Sequence, residues 1–267
     1  MKAESVFALD LRTDIALSAL ALGVFGSSLF IETPPGQIPD SLNRSDVNPF
    51  DRFFMFTRLN APIRYASSAT MVGMAAFLPA IPILYSFDTH FNMNTILTYG
   101  VMYSQATLLA YGTRILLRNN LTRFRPYDHD GSLLEPNARH DSFPSGHTTV
   151  AFMSASFFST AFSLEHPNSV WRLPAIIGSH ALAAGVGAMR VVSGMHFVTD
   201  VIAGAGLGSL VGWLMPHLHR WTQNSNFEII AGNGLLLSFR YQNRQGERIA
   251  VNGPFPHDKK IENISFD

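Results

Sequence analysis

Long apolar runs separated by short polar connections dominate the chain. They extend from Ile15 to Ile31, Tyr65 to Phe87, Ile96 to Leu117, His147 to Leu164, Leu173 to Val192 and Phe197 to Met215. The shortest are near the bilayer-spanning minimum of roughly 17 residues, and the longer ones exceed it. The second run carries no charge, and its Pro79 and Pro82 are expected to kink the helix rather than end it, because a bilayer penalises irregular backbone. The third holds Tyr, Ser, Gln and Thr, with Arg114 near its end, and is expected to lie centrally, where such groups face other helices. In the sixth, Gly204, Gly208 and Gly212 continue at steps of four the line begun by His196 and Asp200, so close backbone approach would turn that line into the bundle.

Between the first two runs, Asn48 as N-cap and Pro49 at the first helical position predict a short helix. Its phenylalanines, mixed with Arg52 and Arg58, suit a helix in the membrane interface or one packed on the domain surface. After Arg220 the pattern changes. Phe227 to Ala231 and Leu235 to Tyr241 flank Gly232-Asn233-Gly234 as a short hairpin would, and a polar tail with Pro254 and Pro256 follows. The expected fold is all-α: a six-helix transmembrane bundle with an interfacial helix after the first segment and a short C-terminal hairpin or tail. The membrane-embedded domain covers residues 1–220, and the polar tail with its hairpin covers 221–267.

Composition strengthens the membrane reading. Of 267 residues 47% are hydrophobic and 14% charged, against about 25% charged in soluble domains. Formal net charge is zero, which gives no sign of a nucleic-acid partner. Cysteine is absent, so thiolate metal sites and disulfides are not available. Asp10, Arg12 and Asp14 interrupt what would be the apolar heart of a signal peptide, so no cleaved leader is expected within these residues.

Six spans with short connections bring the ends of the third and fifth segments and the starts of the fourth and sixth to one membrane face. That face collects Arg118, Arg125, His147, Arg190, His196 and Asp200. Always-charged guanidinium forks match pairs of phosphate oxygens. Pro144-Ser145-Gly146 precedes an apolar helix, whose first amides bind anions and whose glycine admits close approach. His196 and Asp200 stand one helical turn apart, as a nucleophilic imidazole and its orienting carboxylate would, and His147 can protonate a departing alkoxide. The candidate set is therefore His196, Asp200 and His147 for chemistry, with Arg118, Arg125, Ser145, Gly146 and Arg190 for phosphate. Asp128-His129-Asp130, His140 and Asp141 are read as a solvated loop rather than a metal cluster, and His180 as a hydrogen-bonded packing residue. No metal and no cofactor is assigned.

Arg118-x6-Arg125-Pro126, Pro144-Ser145-Gly146-His147 and Arg190-x5-His196-x3-Asp200 together resemble the three-part signature of the type-2 phosphatidic acid phosphatase superfamily. The usual pattern has Lys where Arg118 stands and Ser where Met189 stands. The resemblance implies a metal-independent hydrolase working through a phosphohistidine at His196, with a lipid phosphate as substrate and the bilayer as surroundings. Its membrane-bound bacterial branch implies an inner-membrane enzyme with the site facing the periplasm. Charge does not choose the side, since Arg44, Arg52, Arg58 and Arg64 on one are matched by Lys2, Arg12, Arg172 and Arg220 on the other. Two other readings stand beside it: a soluble acid phosphatase of the same superfamily, and a catalytically silent lipid-binding or transport protein.

Overall fold

The computed structural model describes residues 6–31, 39–85, 93–134, 140–223, 227–232, 234–242 and 248–251, the strands and the last helical turn by backbone alone. The loop from Glu32 to Gly36, the end of the second apolar run at Phe87, Glu135, Asn233 and the tail with Pro254 and Pro256 lie outside the described residues.

Among the described residues eight α-helices and three strands follow in order: α1 Leu11–Phe30, α2 Pro49–Phe54, α3 Ala61–Phe77, α4 Ala80–Tyr85, α5 Met93–Asn120, α6 Gly146–Glu165, α7 Arg172–Val192 and α8 Val198–Gln223, then β1 Phe227–Gly232, β2 Gly234–Gln242 and β3 Arg248–Val251. Local chemistry sets several starts. Asp10 accepts from the Thr13 amide at 2.9 Å ahead of α1, Asn48 from the Asp51 amide at 3.0 Å ahead of α2, and Asn60 from the Ile63 amide at 3.1 Å ahead of α3. Each cap satisfies one of the amides that a helix start leaves without a partner. Pro49 and Pro62 sit in the first turns of α2 and α3, where no amide is missed.

Pro79 does more than kink the second apolar run. The helix stops at Phe77 and restarts at Ala80, because proline has no amide to give and its ring clashes with the carbonyl a turn earlier. Pro82 lies in the first turn of α4 and continues the helix. At the C-terminus β1 and β2 pair antiparallel with Gly232 opposite Gly234, and β3 adds to the far edge of β2.

Helix α6 is the hub, packed by α8, α7, α3 and α5. One core joins Leu17, Tyr99, Met102, Phe157 and Met215 between α1, α5, α6 and α8. A second joins Met74, Ala155, Phe158, Phe162 and Val186 between α3, α6 and α7. The glycine line on α8 lies directly on α6. A Cβ at Gly204, Gly208 or Gly212 would collide with the carbonyls of Ser145, Thr149 and Met153 in turn. This contact fixes the azimuth of α8 and points Asp200 inward, where it is fully buried.

Among the described residues three helices are long and apolar enough to cross a membrane: Leu11–Phe30, Arg172–Val192 and Val198–Arg220, with 22%, 33% and 33% of their apolar windows buried. Much of the remainder is exposed, including Leu22, Leu29, Ile177, Leu182, Ile202 and Trp213. So extensive an apolar exterior on span-length helices belongs in lipid. The protein is an integral membrane protein.

Candidate active site

The polar residues at one end of the bundle come from the end of α5, the loop to α6, the first turn of α6, the turn between α7 and α8, and the start of α8. Gly194 makes that last turn. Its φ is +74°, and a side chain there would strike the carbonyls of Arg58 at 2.8 Å and Phe56 at 2.9 Å, so only glycine fits. The chain then delivers His196, 2% exposed, to the interior.

His196 Nδ1 lies 2.8 Å from the Ser142 carbonyl, and Asp200 Oδ2 stands off at 3.7 Å. A carbonyl only accepts, so Nδ1 carries the proton and Nε2 keeps a lone pair. The tautomer is thus fixed by backbone, whereas the sequence spacing assigned that task to Asp200. Asp200 Oδ2 instead accepts from Ser142 Oγ at 2.6 Å and from the Phe197 amide at 2.9 Å, and Oδ1 accepts from Arg123 Nη1 at 2.6 Å. Burial pushes the His196 imidazole down to about 4; Asp200 opposes this, and the Arg125 and Arg190 charges add to it. At neutral pH His196 is a neutral base with one free nitrogen among cations.

Arg190 is 3% exposed; its Nη1 donates to Ser67 Oγ at 3.3 Å, and its buried Nε has no partner among the described residues. An unpaired guanidinium N–H away from water is a donor suited to an anion. Arg125 is held on one side by Asp141, through Nε at 2.9 Å and Nη2 at 2.8 Å, and by the Met195 carbonyl from Nη1 at 3.1 Å. Its remaining N–H groups are available to a ligand. His147, in the first turn of α6, has Nε2 2.9 Å from Ser68 Oγ.

Two expected phosphate ligands are placed differently from the sequence reading. Arg118 is half-buried and its Nε donates to Asn119 at 3.1 Å. Arg114, one turn earlier, is the buried arginine here: Nε donates to the Pro144 carbonyl at 3.1 Å, and a Cβ on Gly146 would lie 3.1 Å from that nitrogen. Ser145 is fully buried, its amide donates to the Asp200 carbonyl at 3.0 Å, and its hydroxyl pairs with Thr148 Oγ1 at 2.9 Å. It therefore ties α6 to α8, and Gly146 with the following amides forms the open start of α6.

The loop expected to be solvated is partly structural. His129 is buried, its Nδ1 is 2.9 Å from the Arg125 carbonyl, and Asp128 accepts from the Arg125 amide at 2.9 Å. Both brace the backbone of Arg125. Among the described residues no group of three His, Asp or Glu side chains is placed to share a metal ion. His180 is a hydrogen-bonded packing residue, 3.1 Å from Ser156 Oγ and 2.9 Å from the Ile176 carbonyl. The sequence reading missed Arg114, Arg123, Ser142 and Asp51. Arg123 and Asp51 are joined by an ion pair of 2.6 Å across 72 positions.

Apart from the groups contributed by α2, α3 and the chain between them, these residues fall inside 99–224, which match the family model of the PAP2 superfamily. Similar proteins include lipid A 1-phosphatase of Porphyromonas gingivalis, 29% identical over 37% of this chain and 22% of its own length. Phosphatidylglycerophosphatase B of Bacillus subtilis is 33% identical over 40% of this chain and 54% of its own. The chain thus spans at most about half the length of these curated relatives. A crystal structure of a transmembrane PAP2-type phosphatidylglycerolphosphate phosphatase from Bacillus subtilis aligns with 80% of this chain and 98% of its own at TM-score 0.43 and 22% identity.

Proposed function

We propose that the protein is a lipid phosphatase of a bacterial inner membrane, its site facing the periplasm, which hydrolyses a phosphomonoester or diphosphate on a lipid through a phosphohistidine. The observation that carries the reading is His196: Nδ1 is committed to the Ser142 carbonyl, and Nε2 is free beside the buried, part-unpaired Arg190. Nε2 attacks phosphorus, the bond to the lipid oxygen breaks, and His147 gives that oxygen its proton. Water, deprotonated by His147, then attacks the phosphohistidine and releases inorganic phosphate. Arg190, Arg125, Arg114 or Arg118, and the first amides of α6 neutralise the non-bridging oxygens. Asp200 stabilises the charge that develops on the imidazole.

Six spans fit this reading: α1, α3 with α4, α5, α6, α7 and α8. Helix α2 would then lie in the interface, its Phe50, Phe53 and Phe54 exposed to lipid at 51%, 81% and 44%. The relatives' names suggest phosphorylated lipid A and phosphatidylglycerol phosphate as the first substrates to try. The test is phosphate release by the detergent-purified protein from those two lipids, phosphatidate and polyprenyl diphosphate, with and without EDTA, and rapid quench for an acid-labile phosphoenzyme. The expected result is metal-independent release, inhibited by vanadate, with label on His196. Absence of release from all four lipids, or activity lost to EDTA and restored by magnesium or zinc, would overturn it.

A further inference from the structure

Arg123, in the loop between α5 and α6, touches both supports of His196. Through its backbone it holds the strand-like stretch that ends in Ser142: its amide donates to the His140 carbonyl, and its carbonyl accepts from the Ser142 amide, both at 3.0 Å. Through its side chain it holds Asp200, with Nη1 2.6 Å from Oδ1 and 2.7 Å from Thr199 Oγ1. Nη2 reaches Asp51 Oδ2 at 2.6 Å, and the guanidinium lies 4.1 Å from the centre of the Phe197 ring.

Asp51 belongs to α2 and is fully buried. It accepts from Asn48 Nδ2 at 2.7 Å, from the Thr199 amide at 3.0 Å and from Thr199 Oγ1 at 2.7 Å. Burial alone would raise this carboxyl, but hydrogen bonds from Arg123, Asn48 and Thr199 hold it below its usual value, so it is ionised. A continuous run of charge-assisted bonds leads from α2 to the carboxylate beside the nucleophile of the proposed reaction.

We infer that Arg123 and Asp51 are positioning residues for His196. Arg123 balances the charge of Asp200 and keeps the carboxylate 3.7 Å from Nδ1, so the Ser142 carbonyl rather than Asp200 receives the Nδ1 proton. Asp51 holds Arg123 in that orientation, which makes α2 part of the apparatus that aims Nε2. Arg123 is not assigned to phosphate: Nη1 spends both its hydrogens, on Asp200 and Thr199, and Nη2 turns to the buried Asp51, so the fork faces two carboxylates. A planar fork is needed to serve two carboxylates at once, which a single ammonium cannot do. An ion pair with buried carboxylates adds little to stability by itself, whereas misplacement of a reacting group by about 1 Å costs on the order of 10²-fold in rate.

This inference rests on the phosphohistidine reading, and its test keeps the two apart. Arg123→Gln, Arg123→Lys and Asp51→Asn are purified with the full chain and compared with wild type for kcat, KM, vanadate inhibition constant and rate of phosphoenzyme formation. Arg123→Gln should lower kcat and the phosphorylation rate by about 10- to 100-fold, with KM and vanadate inhibition within about twofold, since the phosphate cradle is untouched. Arg123→Lys and Asp51→Asn should each show a smaller loss of the same kind. The double variant Asp51→Asn/Arg123→Gln should be no worse than Arg123→Gln, because both act along one path. Wild-type kcat in Arg123→Gln or in Asp51→Asn overturns the inference. So does a loss that scales only with the unfolded fraction in thermal melts, or an equal weakening of vanadate binding. Wild-type protein that turns over without labelling His196 removes the phosphohistidine reading and this inference together; labelled wild type with indifferent variants removes this inference alone.

Discussion

Among the described residues two buried histidines, His196 and His219, stand beside aspartates, and they differ in how far their ring nitrogens are engaged. His219, near the end of α8, has Nδ1 3.0 Å from the Met215 carbonyl and Nε2 2.9 Å from Asp14 Oδ1. Both ring nitrogens meet acceptors, Asp14 also takes Gln105 Nε2 at 3.4 Å, and the group clamps α8 to α1 and α5. His196 commits one nitrogen to the Ser142 carbonyl and leaves the other open among Arg125 and Arg190. The carboxylate is closer in the first pair than in the second, 2.9 Å against 3.7 Å. Proximity of Asp to His is therefore no guide to reactivity; a free lone pair beside unpaired cationic donors is.

The largest effect expected from this contrast is in His196→Ala, which should abolish both turnover and covalent labelling, with no measurable phosphoenzyme on rapid quench. Residual label in that variant would move the nucleophile elsewhere. Arg190→Ala should follow closely, with a fall in kcat/KM of at least about 10²-fold, the scale of removing one donor aimed at developing charge.

Asp200→Asn sharpens the comparison. Where a carboxylate fixes the tautomer of its histidine, its amide variant costs about 10⁴-fold. Here the Ser142 carbonyl keeps the proton on Nδ1 whichever residue stands at 200, so charge stabilisation is lost and the tautomer is not. The expected fall in kcat is on the order of 10²-fold. A 10⁴-fold loss would mean that Asp200 accepts from Nδ1 during reaction. Histidine-selective NMR in detergent should show His196 titrating near 4, since burial and then the arginines penalise the imidazolium and Asp200 only partly offsets them. It stays neutral at every higher pH, and a midpoint near the ordinary 6.5 would show an exposed ring.

The overall arrangement was legible where a periodic pattern has one structural solution. Glycines at steps of four beside His196 and Asp200 can only mark a close helix contact, and Gly204, Gly208 and Gly212 lie on the α6 backbone. Asn-Pro starts were legible too, because the cap and the missing amide are local. Effects that depend on neighbours were not. Whether Pro79 bends or breaks a helix is settled by what takes over the freed carbonyls. Arg114 and Arg118 share a helix face one turn apart, and sequence cannot say which one lies under Gly146. The Asp51–Arg123 pair joins parts of the chain with no common pattern, and His129 was assigned to solvent because its bond to the Arg125 carbonyl has no signature. The two arginines can be ranked directly. Arg114→Ala should lower kcat/KM by about tenfold or more than Arg118→Ala does, because the buried guanidinium is the one at the start of α6. The reverse order would return Arg118 to the cradle.

The smallest effect on activity belongs to His219→Gln, and it is the direct test of the contrast. A glutamine amide can still donate to Asp14, but it cannot at the same time serve the Met215 carbonyl. The clamp between α8 and α1 loses a charge-assisted bond of the kind worth about 1.5–3 kcal/mol, while the groups around His196 at the other end of α8 keep every partner they have. Thermal unfolding in detergent should therefore show a lower midpoint, and kcat measured well below that temperature should stay within about twofold of wild type. A large loss of kcat with an unchanged midpoint would give the second pair a part in the reaction, and the distinction between an engaged and an open imidazole would fail.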